Sequence, residues 1–217
     1  MTYTGDVTVG GPADTRELDG LTITKLAVGP MQNNAYLLID RATGEGLLVD
    51  AAAEAPRLLE LVGDTNLMTV VTTHQHPDHW QALAEVIDAT GARTVAHPLD
   101  APGLPVPVGE LVGHGAAIPV GDSALTVVHL RGHTPGSIAL AYADGDVTHL
   151  FTGDSLFPGG PGNTDKDPAR FTALMDDLEE RVFGVYADST WVYPGHGGDS
   201  TLAAERPSLP TWRARGW

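Results

Sequence analysis

Thr73-His74-Gln75-His76-Pro77-Asp78-His79 brings three imidazoles and a carboxylate into one short stretch, directly after the apolar residues 67–71. Side chains two residues apart in an extended chain share a face, so His74 and His76 can point to one side. Asp78 and His79 lie beyond the turn and can reach a second position nearby. Imidazole nitrogen and carboxylate oxygen suit zinc, iron or manganese, and the absence of cysteine excludes thiolate ligands. The stretch therefore predicts a metal site.

Three further segments place a metal-competent side chain in a glycine or proline turn at the end of an apolar run. They are Gly132-His133-Thr134-Pro135-Gly136, Thr152-Gly153-Asp154-Ser155 and Tyr193-Pro194-Gly195-His196-Gly197. Each alone is compatible with an ordinary turn, because Gly, Pro and Asp mark turns for conformational reasons. Asp78, with Gln81 three residues later, would likewise suit a helix N-cap. The repetition of strand, glycine turn and metal-competent side chain favours the metal interpretation.

The order HxHxDH, GHTPGS, GDSLF and PGHG resembles the metallo-β-lactamase fold superfamily, and specifically its glyoxalase II-like branch. The resemblance extends from Asn33-Asn34-Ala35-Tyr36-Leu37 through Leu48-Val49-Asp50 to His196. It implies a four-layer αββα sandwich of the α/β class. It also implies two divalent metal ions, with zinc expected first and iron or manganese as alternatives.

The resemblance also assigns the ligands residue by residue. It implies a first metal held by His74, His76 and His133 and a second metal held by Asp78, His79 and His196. Asp154 is expected to bridge the two metals, and Asp50 to lie behind the ligands as an outer partner.

These ligands predict hydrolysis by a hydroxide that bridges the two metals. Asp78 is the expected proton acceptor beside the attacking water, in addition to its role as a ligand. No serine or cysteine nucleophile is required, so Ser137 and Ser155 are not assigned that role. The expected substrate is a small acyl thioester, with a carboxylic ester or a lactone as the nearest variant.

Two departures from the glyoxalase II pattern favour a thiol carrier smaller than, or different from, glutathione. Enzymes of that branch bind glutathione with an additional C-terminal helical region, whereas this sequence has only about twenty residues after His196. Gly160-Pro161-Gly162-Asn163 stands where the branch commonly has Gly-Cys-Gly-Arg, so the arginine is absent.

Two other enzymes resemble the same pattern. Persulfide dioxygenases use a single iron at the positions of His74, His133 and Asp154, and the ligands alone do not separate them from hydrolases. The missing Cys and Arg favour hydrolysis. True β-lactamases generally have Cys or Ser where Asp154 stands, which disfavours that activity here.

Composition predicts one compact enzyme domain over residues 1–217. The chain is 42% hydrophobic and carries a formal net charge of −16, which counts against nucleic-acid binding. The polar, acidic residues 1–20 contain no signal-peptide pattern, and no later stretch resembles a membrane span. We therefore expect a cytoplasmic protein whose partner is a small-molecule substrate. The oligomeric state stays open, a homodimer included, as does the role of the aromatic tail at residues 212–217.

Hydrophobic periodicity predicts two similar halves, each with strands followed by a helix. Strands are expected at residues 22–26, 35–39, 46–49, 68–72, 125–129, 138–142 and 147–151. Helices are expected at residues 56–62, from Trp80 to Gly91, and at residues 168–183 with Asp167 as the cap. His97, His114, His129 and His149 are expected to be structural or exposed, and Lys166 and Arg170 are candidates to contact an anionic substrate.

Overall fold

In the computed structural model, which describes residues 2–216, two large β-sheets pack face to face. Strands β1 to β4 of the first sheet are antiparallel neighbours, whereas β4 to β7 run parallel. The seven strands follow one another in chain order: β1 (Asp14–Glu17), β2 (Leu21–Val28), β3 (Asn33–Asp40), β4 (Glu45–Val49), β5 (Asn66–Val71), β6 (Arg93–Ala96) and β7 (Glu110–Leu111).

The second sheet and a short hairpin come from the C-terminal half. The remaining strands are β8 (Ala117–Val120), β9 (Ser123–His129), β10 (Ile138–Asp144), β11 (Val147–Gly153), β12 (Leu156–Phe157), β13 (Gly160–Pro161), β14 (Trp191–Pro194) and β15 (Ser200–Thr201). The sheet has the order β15-β14-β11-β10-β9-β8, and β12 pairs with β13. Within it, β11 and β14 are parallel, and the other pairs are antiparallel.

Helices cover the outer face of each sheet. They are α1 (Ala55–Val62), α2 (Leu83–Thr90), α3 (Pro168–Leu178), α4 (Leu202–Glu205) and α5 (Leu209–Arg215), with 3-10 turns at Pro77–His79, Ala101–Gly103 and Arg206–Ser208 and a π-helical turn at Glu179–Phe183. Alternate residues of one strand pack into two different apolar layers, one between the sheets and one between a sheet and its helices. Leu38 faces the other sheet, whereas its neighbour Leu37 faces α1 and α2. The αββα sandwich of the α/β class is therefore confirmed.

Six of the seven predicted strands fall inside observed ones, and the seventh, at residues 68–72, extends one residue beyond β5. The predicted helix at residues 168–183 corresponds to α3 and the π-helical turn. Asp167 caps α3 by accepting from the backbone nitrogens of Ala169 and Arg170. One helix prediction was wrong at its start, and the alternative interpretation of Asp78 does not hold. Trp80 precedes α2, which begins at Leu83, because the chain first makes the 3-10 turn that carries Asp78. Asp78 is not an N-cap, since Ala82 occupies that position of α2.

Seven further strands were not predicted, because each has only two to four residues: β1, β6, β7, β8, β12, β13 and β15. Trp212, in the aromatic tail, is buried beside Phe183, with ring centroids 6.4 Å apart. The tail thus packs on the body through Trp212, and Trp217 lies outside the described residues. Among residues 2–216, no helix combines the length and apolar character needed to cross a membrane.

Candidate metal centre

All seven predicted ligand side chains come together at one edge of the sandwich. His74, Asp78 and His79 follow β5, and Asp50 follows its parallel neighbour β4. Asp154 follows β11, and His196 follows its parallel neighbour β14. Parallel neighbours end at the same edge of a sheet, so two such pairs on facing sheets bring four loops to one place.

His74, His76 and His133 form what we call the first cluster. His133 Nε2 lies 2.9 Å from His76 Nδ1 and 3.3 Å from His74 Nε2. His74 and His133 are buried, whereas His76 is partly exposed toward the mouth of the site. Each residue offers one nitrogen to a common point, and these atoms lie within 4.8 Å of one another.

Asp78, His79 and His196 form what we call the second cluster. Asp78 Oδ2 lies 3.5 Å from His79 Nε2 and 3.3 Å from His196 Nε2. His79 is fully buried, while the side chains of Asp78 and His196 are 17% and 21% exposed. The buried histidine forms the floor of this cluster, and the other two residues face the opening.

Asp154 lies between the clusters. Its Oδ2 is 3.7 Å from His133 Nε2 and 3.4 Å from His196 Nε2, and its Oδ1 is 3.3 Å from His79 Nε2. His79 Nε2 and Asp154 Oδ1 are buried, yet neither has a hydrogen-bond partner among residues 2–216. Buried polar atoms without partners are costly in a folded protein. A cation bound by both atoms would account for this arrangement.

The second ring nitrogen of four histidines has its own partner. His79 Nδ1 is 2.8 Å from Asp50 Oδ2, His133 Nδ1 is 2.7 Å from the carbonyl oxygen of Asn163, and His196 Nδ1 is 3.0 Å from that of Met31. His74 Nδ1 lies 3.1 Å from Thr73 Oγ1, whose hydroxyl donates to Asp50. In the neutral ring these oxygens would accept the proton of Nδ1, which leaves the lone pair of each Nε2 to a cation in the cluster.

Glycine is required where the backbone passes close to these side chains. A Cβ on Gly195 would collide with Asp154 Oδ1 and would lie 2.7 Å from the His79 ring. Gly153 has a φ of +49°, and a Cβ there would lie 2.8 Å from Thr73 Oγ1. Both glycines allow the backbone of the second sheet to press against the β5 loop.

The site residues have strongly shifted pKa values. Burial and the neighbouring imidazoles of His79 and His133 lower the pKa of His74 well below its usual range. Burial would also lower the pKa of His79, but the carboxylates of Asp50 and Asp154 outweigh it and raise that pKa to about 10. Burial would raise the pKa of Asp154, but His196 and His79 lower it well below the range of a free carboxyl. The cluster thus stabilises positive charge beside Asp154 and neutral imidazole at His74.

The residues present fit divalent metal ions. Ligands at about 2.0–2.1 Å from a tetrahedral zinc lie about 3.3 Å from one another. The distances of 2.9 and 3.3 Å in the first cluster and of 3.5 and 3.3 Å in the second are close to this value. The donor set of imidazoles and carboxylates suits zinc, iron or manganese. The nitrogens of the first cluster converge at 2.9 and 3.3 Å, and a cation would satisfy their lone pairs together.

The sequence profile of the metallo-β-lactamase superfamily matches residues 28–202, a span that includes every residue of both clusters. The chain belongs to the metallo-β-lactamase superfamily. The family places it among proteins that bind divalent metals and are generally hydrolases.

Individual members of the metallo-β-lactamase superfamily give closer comparisons. A hydroxyacylglutathione hydrolase of Fuscovulum blasticum is 35% identical over 161 residues, which are 73% of this chain and 62% of that enzyme. ETHE1 from Myxococcus xanthus is 30% identical, with a TM-score of 0.77 over 87% of this chain and 83% of its own. The di-iron-bound form of TTHA1623 is 31% identical, with a TM-score of 0.73 over 87% of this chain and 99% of its own.

Of the two cationic side chains predicted as substrate contacts, Arg170 is engaged by the protein itself. Arg170 donates to the carbonyl oxygens of Gly132 and His133 and to Asp165, so it supports the His133 loop. That engagement corrects the expectation that Arg170 is available to substrate. Lys166 has a left-handed backbone conformation with a φ of +59° in the loop before α3.

The four remaining histidines lie outside both clusters, as predicted. His97 stacks on His129 with ring centroids 3.9 Å apart, and His114 Nδ1 accepts from the backbone of His129 at 3.4 Å. His149 is buried, with Nδ1 2.8 Å from the Tyr193 hydroxyl.

Sequence reasoning missed two polar residues that support the ligands. Asn33 Nδ2 donates to Asp78 Oδ2 at 2.9 Å, and its backbone bridges to His196. Asp100 accepts hydrogen bonds from both loops of the first cluster. The polar pair Asn33-Asn34 at the head of an apolar strand was a usable signal, whereas nothing beside Asp100 in the sequence distinguishes it.

Proposed function

We propose that this protein is a metal-dependent hydrolase of small acyl thioesters that uses two divalent metal ions, with zinc expected first and iron or manganese as alternatives. The observation that carries the proposal is the pairing of two complete three-residue clusters with Asp154 between them. The first cluster would hold one metal, the second cluster the other, and Asp154 would contact both. Bound metals would lower the pKa of a water and polarise the acyl carbonyl.

Asp78 is the proposed proton acceptor. Asn33 Nδ2 donates to its Oδ2, and no hydrogen bond to Oδ1 is found within residues 2–216. The side chain is partly exposed at the mouth, where an attacking water would approach. Asn33 therefore orients the carboxylate, and Oδ1 would receive the proton as the water attacks the acyl carbon.

The rim of the site favours a small and partly apolar acyl group. Met31 is 60% exposed, and its carbonyl oxygen accepts from His196. The Phe157 ring lies 6.3 Å from the His196 ring. Apolar side chains beside a polar reaction centre would exclude water from the acyl chain.

The environment of Asn163 supports the proposal that glutathione is recognised only weakly. Its carbonyl oxygen accepts from His133, and its side chain bonds to the neighbouring backbone of Asp165. An amide at this place offers no guanidinium for a substrate carboxylate. Similarity to a hydroxyacylglutathione hydrolase supports thioester hydrolysis as the reaction class, and we expect the thiol part to be read loosely.

The test combines metal analysis with a side-by-side substrate panel. We expect close to two metals per chain after purification without added metal. We also expect hydrolysis of acyl thioesters with similar kcat/KM for glutathione and for N-acetylcysteamine carriers, above that for lactones and β-lactams. Protein stripped with a chelator should lose this activity and regain it on adding zinc.

The main alternative is a mononuclear iron persulfide dioxygenase. It is favoured by the mutual proximity of His74, His133 and Asp154, whose facing atoms lie 3.3 and 3.7 Å apart. One tightly held iron per chain, with oxygen consumed in the presence of a persulfide, would replace the hydrolase proposal. A preference for β-lactams in the substrate panel would also contradict the proposed thioester hydrolysis.

A further inference from the structure

Asp100 is a buried carboxylate that precedes the 3-10 turn Ala101–Gly103 and lies outside every ligand motif. Its Oδ2 accepts from the backbone nitrogen of Gln75 at 3.0 Å and from Thr134 Oγ1 at 2.5 Å. Its Oδ1 accepts from the backbone nitrogen of Gly136 at 2.7 Å. Gln75 separates His74 from His76, and Thr134 follows His133. One carboxylate therefore joins the two loops that carry the first cluster.

The contact between these loops is tight. A Cβ on Gly136 would lie 2.7 Å from Asp100 Oδ1, so the approach needs a glycine there. Thr134 Oγ1 also lies 2.5 Å from Ser137 Oγ, and all of these side chains are buried. A buried carboxylate is tolerated when strong donors surround it, and three donors surround this one. Both oxygens of Asp100 are committed to the two loops.

The hydrogen bonds that Asp100 accepts come from the two loops that carry the first cluster. In the second cluster, His79 is held by Asp50, His196 by the Met31 carbonyl and Asp78 by Asn33. One backbone bond, from Ile138 nitrogen to Thr73 oxygen at 2.9 Å, also joins the two loops. That bond holds the first loop at Thr73, before His74, whereas Asp100 holds it at Gln75, between His74 and His76, and holds the second loop at Thr134, next to His133.

We propose that Asp100 is a positioning residue that holds His74, His76 and His133 at metal-binding spacing and so sets the metal affinity of the first cluster independently of the second. The inference rests on the two-metal centre of the proposed function. Asparagine keeps the shape of Asp100 but presents an NH₂ group toward one of the three donors, so the isosteric change removes part of the contact.

The test measures the first cluster by itself. In an Asp78→Ala background, which weakens the second cluster, Co²⁺ is titrated against a competing chelator while the visible ligand-field band of the bound ion is recorded. Adding Asp100→Asn should raise the Co²⁺ dissociation constant about tenfold or more and alter the band, because the three imidazoles no longer converge. In the otherwise wild-type protein, excess metal should restore most of the kcat lost in Asp100→Asn.

Asp40→Asn is the matched control. Asp40 is equally buried and accepts from Ala42, Thr43 and Ser123, so it also fixes a turn, but neither cluster contacts it. Both asparagine variants should lower thermal stability, while only Asp100→Asn should change Co²⁺ affinity. Equal Co²⁺ affinities in the two variants would overturn the inference and leave Asp100 a structural residue.

Thr134→Val keeps the test decisive if Asp100→Asn does not fold. It removes one donor to Asp100 without changing the carboxylate, and the Co²⁺ dissociation constant should rise about fivefold. An unchanged constant in Thr134→Val would then overturn the inference. Failure of the proposed function has a different signature, since the parent protein with Asp78 intact would bind one metal or show no thioesterase activity.

Discussion

The first cluster and the second cluster differ in charge and in the way their side chains are held. The first cluster contains only imidazoles, and burial lowers the pKa of both His74 and His133. The second cluster contains the carboxylate of Asp78, and its buried His79 is backed by the carboxylate of Asp50. We infer that metal affinity depends mainly on geometry in the first cluster and on negative charge in the second.

Asp154 belongs to neither cluster alone, because its two oxygens face residues of both clusters. Asp154→Ala should weaken metal binding in both clusters by about a hundredfold or more, since it removes a ligand from each and the negative charge between two cations. Thioester turnover should fall to background. Metal content after dialysis, together with turnover at saturating metal, measures the effect.

Asp165→Ala provides the comparison for that variant. Asp165 is an exposed carboxylate paired with Arg170, on the loop before α3 and outside both clusters. It should retain both metals. An Asp154→Ala protein that also keeps two metals would show that Asp154 does not bridge the clusters.

Asp78→Ala should separate the clusters. It removes the only carboxylate of the second cluster, so the second metal should bind about tenfold more weakly, while the first metal stays bound to three histidines. Turnover should fall by about 10²- to 10⁴-fold because the proton acceptor is lost as well. Titration with two equivalents of Zn²⁺ should show one affinity near the wild-type value and one reduced. Equal weakening of both would contradict the separate roles of charge and geometry.

The gathering of the seven predicted ligand side chains was predictable because each stands in a short segment with its own local signature. A histidine or aspartate follows a glycine turn at the end of an apolar strand, and the close spacing of His74, His76, Asp78 and His79 has no other ready explanation. Asp100 was not predictable. It contacts Gln75, Thr134 and Gly136 across 25 to 36 positions of the chain, and only the folded structure brings these together.

Contacts between residues distant in the sequence also explain why parts of the fold were predicted wrongly or not at all. Strongly apolar strands such as β3 and β10 were located, whereas β6 and β8 take part in the sheets through only four residues each. The helix expected to include Trp80 begins later because the Pro77–His79 turn sets Asp78 and His79 beside the other ligands. Helical periodicity continued through a segment whose geometry is dictated by distant residues.

A histidine remote from both clusters allows acid effects on the scaffold to be separated from acid effects on metal binding. Burial, aided by the charge of Arg16, lowers the pKa of His149 to about 4. Arg16 donates to the Tyr193 hydroxyl at 3.1 Å, which leaves that hydroxyl to donate to His149 Nδ1. The folded protein therefore requires neutral imidazole at this position.

The sign of the pH effect follows from proton uptake. Between pH 6.5 and about 4, the unfolded chain protonates His149 and the folded chain does not, so the free energy of unfolding falls as the pH falls. His149→Asn keeps an acceptor for Tyr193 but cannot titrate, so it should lower stability at neutral pH and also flatten this dependence. From pH 7.5 to pH 5, urea unfolding should show the wild type losing about 1 kcal/mol more than the variant, a value reduced for solvent screening. Since ligand histidines are common to both proteins, their titration cancels in the difference. Parallel pH profiles would show that His149 does not contribute to the acid sensitivity of the fold.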